Sequence, residues 1–218
     1  MIKHYLSLIE TTFMFFNERD LSNLEKIFRI NLINSCSGYK SANLIGSVSN
    51  AGITNVAVFS SVTHLGSNPP TLGYILRPTT VPRNTYKNIK ETGVFTINHI
   101  HKGIIEDAHH TSAKYPEEIS EFDKTTLEEE YKGNFKAPFV KGCPVQMSMR
   151  FLEEVYISSN DVTMIVGRIQ ELYIDDKLLK ADGFINLSEG EVMTINGLDA
   201  YALPKLEDRF TYQRPKKN

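Results

Sequence analysis

Residues 43–70 read NLIGSVSNAGITNVAVFSSVTHLGSNPP. Short runs rich in Val and Ile flank the turn residues Asn50-Ala51-Gly52, the pattern of two antiparallel strands joined by a hairpin turn. The second run passes directly into a cluster of small hydroxylated residues, Ser60, Ser61 and Thr63 around Val62. At a strand end such a cluster offers backbone and side-chain hydrogen bonds, which suits the edge of a flat heteroaromatic ligand. The competing explanation is that the hydroxyls only satisfy free backbone groups where the chain turns.

Working outward, Leu72 to Leu76 is an apolar run between Pro69-Pro70 and Pro78, and reads as a short buried strand. Residues 77–88, RPTTVPRNTYKN, gather Arg77, Arg83 and Lys87 with Thr79, Thr80 and Thr85. A helix is expected from Asn84, with Tyr86 and Ile89 at helical spacing and Gly93 as its terminator. Helix N-terminal N–H groups, hydroxyls and one or two cations can hold a phosphomonoester by charge-assisted hydrogen bonds. The alternative is a solvated basic loop with an ordinary cap. One short strand separates the two clusters, and at ~3.3 Å per residue it matches the distance between the ends of a flavin mononucleotide.

Val94 to Ile100 alternates like a strand, whereas residues 104–130 are polar, with a helical fragment at IIEDAHH and Pro116 as a breaker. That stretch is expected to cover a barrel. Three strand candidates follow: Val145 to Glu153, Val162 to Tyr173 and Phe184 to Leu187. Upstream, Ser22 with Glu25 three residues later, and Leu24, Ile27 and Phe28 at helical spacing, predict a short helix. Many short strands and few helices favour a mainly β fold, a closed antiparallel β-barrel with peripheral helices, over an alternating βαβ sheet.

The bulk properties agree with one ordinary globular domain carrying embellishments: 218 residues, 41% hydrophobic and 23% charged. With 24 Lys and Arg against 26 Asp and Glu, the net charge of -2 gives no general field for nucleic acid or an anionic membrane. Two cysteines, Cys36 and Cys143, are too few for a disulfide framework and lack CxxC spacing, which fits a reducing cytoplasm. The apolar stretch Tyr5 to Phe16 is interrupted by Glu10 and falls short of the ~20 residues of a spanning helix; no small-residue cleavage site follows it. It is expected to pack on a dimer surface or to form an extension.

Neither HExxH nor a cysteine pair joins His99, His101, His109 and His110 into a zinc set, so no metal is assigned. His64 follows the hydroxyl cluster and is placed to lie over a bound ring or reach its phosphate. Tyr39 and Lys40 read as packing and solvation, and Cys36 as a small hydrophobe without a role.

In these residues the sequence resembles the flavin reductase-like family. The elements in common are Asn55, Ala57 and Phe59-Ser60-Ser61, then Pro69-Pro70, Arg77, Thr85 with Asn88-Ile89, and Gly93, Phe95 and Asn98. The likeness continues through Thr111-Ser112-Ala113-Lys114, Ser120-Glu121-Phe122 and Ala137-Pro138-Phe139 to Tyr212, Arg214 and Pro215. It is nearest to uncharacterised bacterial members, spans roughly Asn23 to Pro215, and sets residues 1–20 apart as an extension to a domain over 21–218.

The resemblance implies a six-stranded, Greek-key, FMN-binding split barrel, dimerised so that each FMN lies in a groove between subunits. Carried over, Ser60, Ser61, Val62 and Thr63 would bond the isoalloxazine edge, chiefly through backbone, and Asn55 would support that strand. Arg77, Thr79 and Thr85 would take the phosphate. The implied activity is that of an NAD(P)H-dependent flavin oxidoreductase, with NADH or NADPH as donor and no catalytic acid or base, because hydride chemistry belongs to the cofactor. Alternatives are a flavin carrier without significant turnover and a barrel for heme or another flat cofactor. No GxGxxG fingerprint indicates which nicotinamide nucleotide is used.

Overall fold

The computed structural model of the chain describes residues 13–81 and 83–216. Most of the apolar stretch from Tyr5 lies outside the described residues, and its described end carries exposed Phe13, Met14 and Phe15. Two helices follow, α1 (Glu18–Asn23) and α2 (Lys26–Cys36). Asn17 and Asp20 form a reciprocal capping box on α1, and the Glu25 carboxylate accepts from the N–H groups of Ile27 and Phe28 to cap α2. The expected helix start at Ser22 is therefore corrected. The Ser22 hydroxyl donates back to the Glu18 carbonyl inside α1, and Glu25 caps the next helix instead of bonding Ser22. Neither helix buries a residue, and Ile27, Phe28 and Ile33 stand exposed.

The strands and remaining helices are β1 (Lys40–Ser41), β2 (Asn43–Val48), β3 (Thr54–Phe59), β4 (Thr63–Ser67), β5 (Pro70–Leu76), α3 (Asn84–Thr92), β6 (Val94–His99), α4 (Ile105–His110), β7 (Glu129–Glu130), β8 (Phe139–Val140), β9 (Val145–Ile157), β10 (Val162–Ile174), β11 (Thr194–Asn196) and β12 (Ala200–Ala202). The main sheet runs β3-β2-β6-β9-β10-β5-β4, with every neighbouring pair antiparallel. It has seven strands, because β4 folds back on β5 through Asn68-Pro69 where the sequence reads as a loop.

Alternation along β2 sends Leu44 and Ile45 to opposite faces. Leu44 joins Val56, Ala108, Phe122, Leu127 and Val140 beneath the covering segment, and Ile45 joins Tyr74, Ile89, Phe95 and Met149 inside the barrel. Burial on both faces of β2 takes in its polar residues Asn43 and Ser47 as well as Leu44 and Ile45. Gly46 is required between them, since a Cβ there would overlap the Pro138 carbonyl of the segment leading into β8.

The two ends of the sheet approach each other without pairing as strands. Ser61, just beyond β3, bridges the split: its hydroxyl accepts from Ile75 N–H at 3.0 Å and faces the Ile75 carbonyl at 3.2 Å. Beside it Phe59 packs edge-on against Tyr74, ring centroids 4.8 Å apart. The candidate strand Phe184 to Leu187 is corrected to a turn, in which Ile185 makes only an isolated bridge to Leu179. Its apolar spacing reflects Ile185 and Leu187 closing one end of the barrel interior rather than a ladder.

The small sheet β1-β11-β12 is tied to the segment after β3, where the Ser41 hydroxyl of β1 donates to the Val62 carbonyl. From β12 the chain continues as an extended arm, fastened by the Ser188 hydroxyl to Pro204 and Leu206, and by Arg209 to Asp182. Phe210 and Tyr212 beyond it are 83% and 92% exposed. Among the described residues no helix is long and apolar enough to cross a membrane.

Candidate functional site

Thr85, Asn88 and Ile89 share one face of α3 through their i, i+3, i+4 spacing. Ile89 enters the barrel core, and the Asn88 amide donates to the Ser47 hydroxyl at 3.2 Å. The Thr85 hydroxyl meets the Asn55 amide at 2.9 Å. Gly93 ends the helix in the left-handed region at φ 73°, donating its N–H to the Ile89 carbonyl. These contacts fix the first turn of α3 against the beginning of β3.

That first turn is poor in partners. Arg83, at the cap position, makes no side-chain capping bond, so the leading N–H groups of the helix lack the acceptor a cap usually supplies. The Arg83 Nε is buried and has no partner among the described residues. Arg77 and Thr79 are exposed on the loop leading to it, and Arg77 has no ion pair among the described residues. An acceptor-rich anion is the complement of this set. Lys87 is otherwise engaged, by Glu117 of the covering segment at 2.6 Å and by Glu91 at 4.0 Å. Thr85 is 5% exposed, so it faces Asn55 and not the open loop.

At the other end of β3, about 17 Å from Asn55 at ~3.3 Å per residue, lies the run Ser60 to Thr63. The Ser61 hydroxyl is committed to Ile75, so any contact of Ser61 with a ligand falls to its backbone. The Val62 carbonyl accepts from the Ser41 hydroxyl at 3.1 Å, and Ser41 in turn accepts from the Asn43 amide at 2.9 Å. Asn43 leaves a buried Oδ1 beside this rim without a partner among the described residues. Ser60 is half-buried, with no side-chain hydrogen bond among the described residues, and Thr63 is exposed at the start of β4. Ser41 and Asn43 are not singled out by any motif; their only signal in the sequence is two polar residues just before the apolar pair Leu44-Ile45.

The histidines are dispersed. His64 is exposed on β4, His109 meets the Tyr201 hydroxyl at 3.3 Å, and His110 meets that of Tyr115 at 2.7 Å. His101 accepts from Gly103 N–H. Burial lowers the pKa of His99 from its ordinary value to about 4 and keeps it neutral. Among the described residues no three His, Cys, Asp or Glu side chains converge as metal ligands. Lys40 donates to the Asn34 carbonyl at the end of α2, Tyr39 is exposed, and Cys36 and Cys143 are free thiols. Cys36 is exposed, on a helix none of whose residues is buried among the described residues.

The chain belongs to the flavin reductase like domain family, whose model matches residues 37–193. A split barrel protein of Shewanella frigidimarina NCIMB 400, crystallised as a candidate flavin reductase, is 42% identical with a TM-score of 0.89, covering 92% of this chain and 100% of its own. The uncharacterised protein YwrF of Bacillus subtilis strain 168 is 28% identical over 178 residues, 78% of this chain and 85% of its own. The FMN-binding protein of Thermus thermophilus, solved with bound 1-cyclohex-2-enone, has a TM-score of 0.68 over 81% of this chain and 93% of its own. At 18% identity that likeness is one of fold.

Proposed function

We propose that the chain binds FMN and, as a homodimer, works as an NAD(P)H-dependent flavin reductase-like oxidoreductase. One observation carries the reading: the entrance of α3, which lacks a side-chain cap and holds an Arg83 Nε unpartnered among the described residues, stands one strand length from the backbone rim Ser60 to Thr63. A phosphate dianion supplies the acceptors that the entrance lacks, and a planar ring edge supplies partners for the rim.

In this reading Arg77, Arg83, Thr79 and the first-turn N–H groups of α3, that of Thr85 included, hold the phosphate. Asn55 and the Thr85 hydroxyl brace the entrance from behind. Ser60, Ser61, Val62 and Thr63 meet the isoalloxazine edge through their backbone, on a loop kept in place by Ser61 and Ser41. Bound FMN supplies hydride acceptance from NADH or NADPH and transfer of electrons to an acceptor. The chain contributes binding and orientation, and no side chain is assigned a proton.

The homodimer is supported by apolar surface left open on one chain: Ile27, Phe28 and Ile33 on α2, and Phe210 and Tyr212 on the arm. Residues 21–218 are taken as one domain preceded by an extension, with α1 running across the border. Two free thiols fit a reducing cytoplasm.

The test is anaerobic mixing of the FMN-loaded protein with NADH or NADPH while flavin absorbance is followed. Rapid bleaching is expected. A flavin spectrum unchanged by both nucleotides replaces the reductase reading with that of a carrier, and a Soret band in the purified protein replaces flavin with heme.

A further inference from the structure

We propose that Glu121 is a positioning residue for the phosphate end of the site, acting through Asn55 on Thr85 and the first turn of α3; the inference rests on the FMN reading above. Glu121 opens a 3-10 turn (Glu121–Lys124) in the covering segment and is 4% exposed. Phe122 and Leu127, buried against Leu44 and Val56, hold this turn on the outer face of β2 and β3. Thr54 adds a second clasp, its hydroxyl 2.9 Å from that of Ser120.

β3 is the edge strand of the main sheet, and Val56 N–H donates to the Glu121 carboxylate at 3.1 Å. The same carboxylate oxygen faces the Asn55 amide. Of the two orientations of that amide, the one with nitrogen toward Glu121, at 3.2 Å, and oxygen toward the Thr85 hydroxyl, at 2.9 Å, meets a donor with an acceptor at both ends. An ionised carboxylate only accepts hydrogen bonds, so Glu121 dictates the orientation of Asn55, and Asn55 dictates that Thr85 donates.

Two consequences follow for the site. The Thr85 hydroxyl proton points away from the anion, so Thr85 serves a phosphate through its backbone N–H. The first turn of α3 is also held in one geometry by a chain that begins in a segment remote from the ligand. With Glu121 truncated, the Asn55 amide is free to turn, Thr85 loses its fixed acceptor, and the helix entrance loosens while the ring rim stays as it was.

The experiment measures FMN and riboflavin dissociation constants and thermal midpoints for the full chain and for Glu121→Ala, Glu121→Gln, Thr85→Val and the Ala/Val double variant. Loss of a charged hydrogen-bond acceptor predicts that Glu121→Ala weakens FMN about tenfold and riboflavin less than about twofold. Glu121→Gln, whose amide oxygen still accepts from both N–H groups, stays within about threefold of the parent for FMN. The double variant falls no further than Glu121→Ala alone, because both changes cut one chain. A folded Glu121→Ala protein with unchanged preference for FMN over riboflavin, equal losses for both ligands, or additive losses in the double variant overturns the proposal. Should Glu121→Ala fail to fold, Thr85→Val decides: selective weakening of FMN upholds the chain and unchanged preference ends it. If the parent protein itself does not prefer FMN to riboflavin, the phosphate reading fails first and takes this inference with it.

Discussion

The side chains of Asn55 in β3 and Thr85 in α3 meet 2.9 Å apart in a buried seam. The contact ties the first turn of a helix to the strand whose far end carries the candidate ring rim, so one rigid element sets the distance between the two ends of the site. Asn55→Ala leaves both the Thr85 hydroxyl and the Glu121 carboxylate short of a partner in a dry environment. A loss of about 1–3 kcal/mol is expected. Urea unfolding checks it through a lower midpoint at unchanged slope, and an unmoved midpoint counts against the seam.

In the proposed site Arg77 is the exposed cation of the loop that leads into α3. Arg77→Ala is expected to weaken FMN by ~1.5–3 kcal/mol, the range for charge-assisted contacts, and riboflavin far less. Calorimetric titration of both ligands gives the comparison. Equal losses would place Arg77 away from the phosphate.

Ser61 predicts a different signature. Ser61→Ala removes the hydroxyl that bridges the split at Ile75 and leaves the Ile75 N–H without that acceptor. Stability is expected to fall by about 1–2 kcal/mol, with FMN and riboflavin weakened alike because the loss is at the ring end. Selective loss of FMN would contradict the assignment of the two ends.

His99 gives a pH dependence of definite sign. Burial lowers its pKa from 6.5 to about 4 in the folded chain. Between these values the unfolded chain binds the proton and the folded chain does not, so stability falls as pH drops through the window, by at most about 3 kcal/mol. Glu121 acts in the opposite sense, since burial raises its pKa and proton uptake there favours the folded form. Comparison with His99→Gln isolates the histidine: the variant should lose less stability than the parent between pH 6.5 and pH 4. Parallel profiles would mean that the ring is already well solvated.

What could be read from the chain was what local chemistry dictates. The hairpin of β2 and β3, helix α3 with Gly93 behind it, and the strands β9 and β10 all announce themselves by β-branched runs, turn residues and caps. β4 does not, because THLGS is largely exposed and becomes a strand only by pairing with β5. Phe184 to Leu187 misled for the converse reason: apolar residues plugging a barrel end mimic a strand. At the site, the hydroxyl cluster and the basic loop were visible as composition, but the partners of each hydroxyl were not. Ser61 bonds Ile75 across 14 residues, Asn55 meets Thr85 across 30, and Glu121 accepts from Val56 across 65. Such pairings depend on tertiary closure of the sheet, which no short window of sequence encodes.

The central claim is that one flavin nucleotide spans β3, phosphate at the entrance of α3 and ring edge at Ser60 to Thr63. A crystal structure of the chain grown with excess FMN tests it most directly. The account predicts phosphate density against Arg83 and the first-turn N–H groups of α3, with the isoalloxazine along the rim. FMN bound elsewhere, with that groove left vacant, would contradict it.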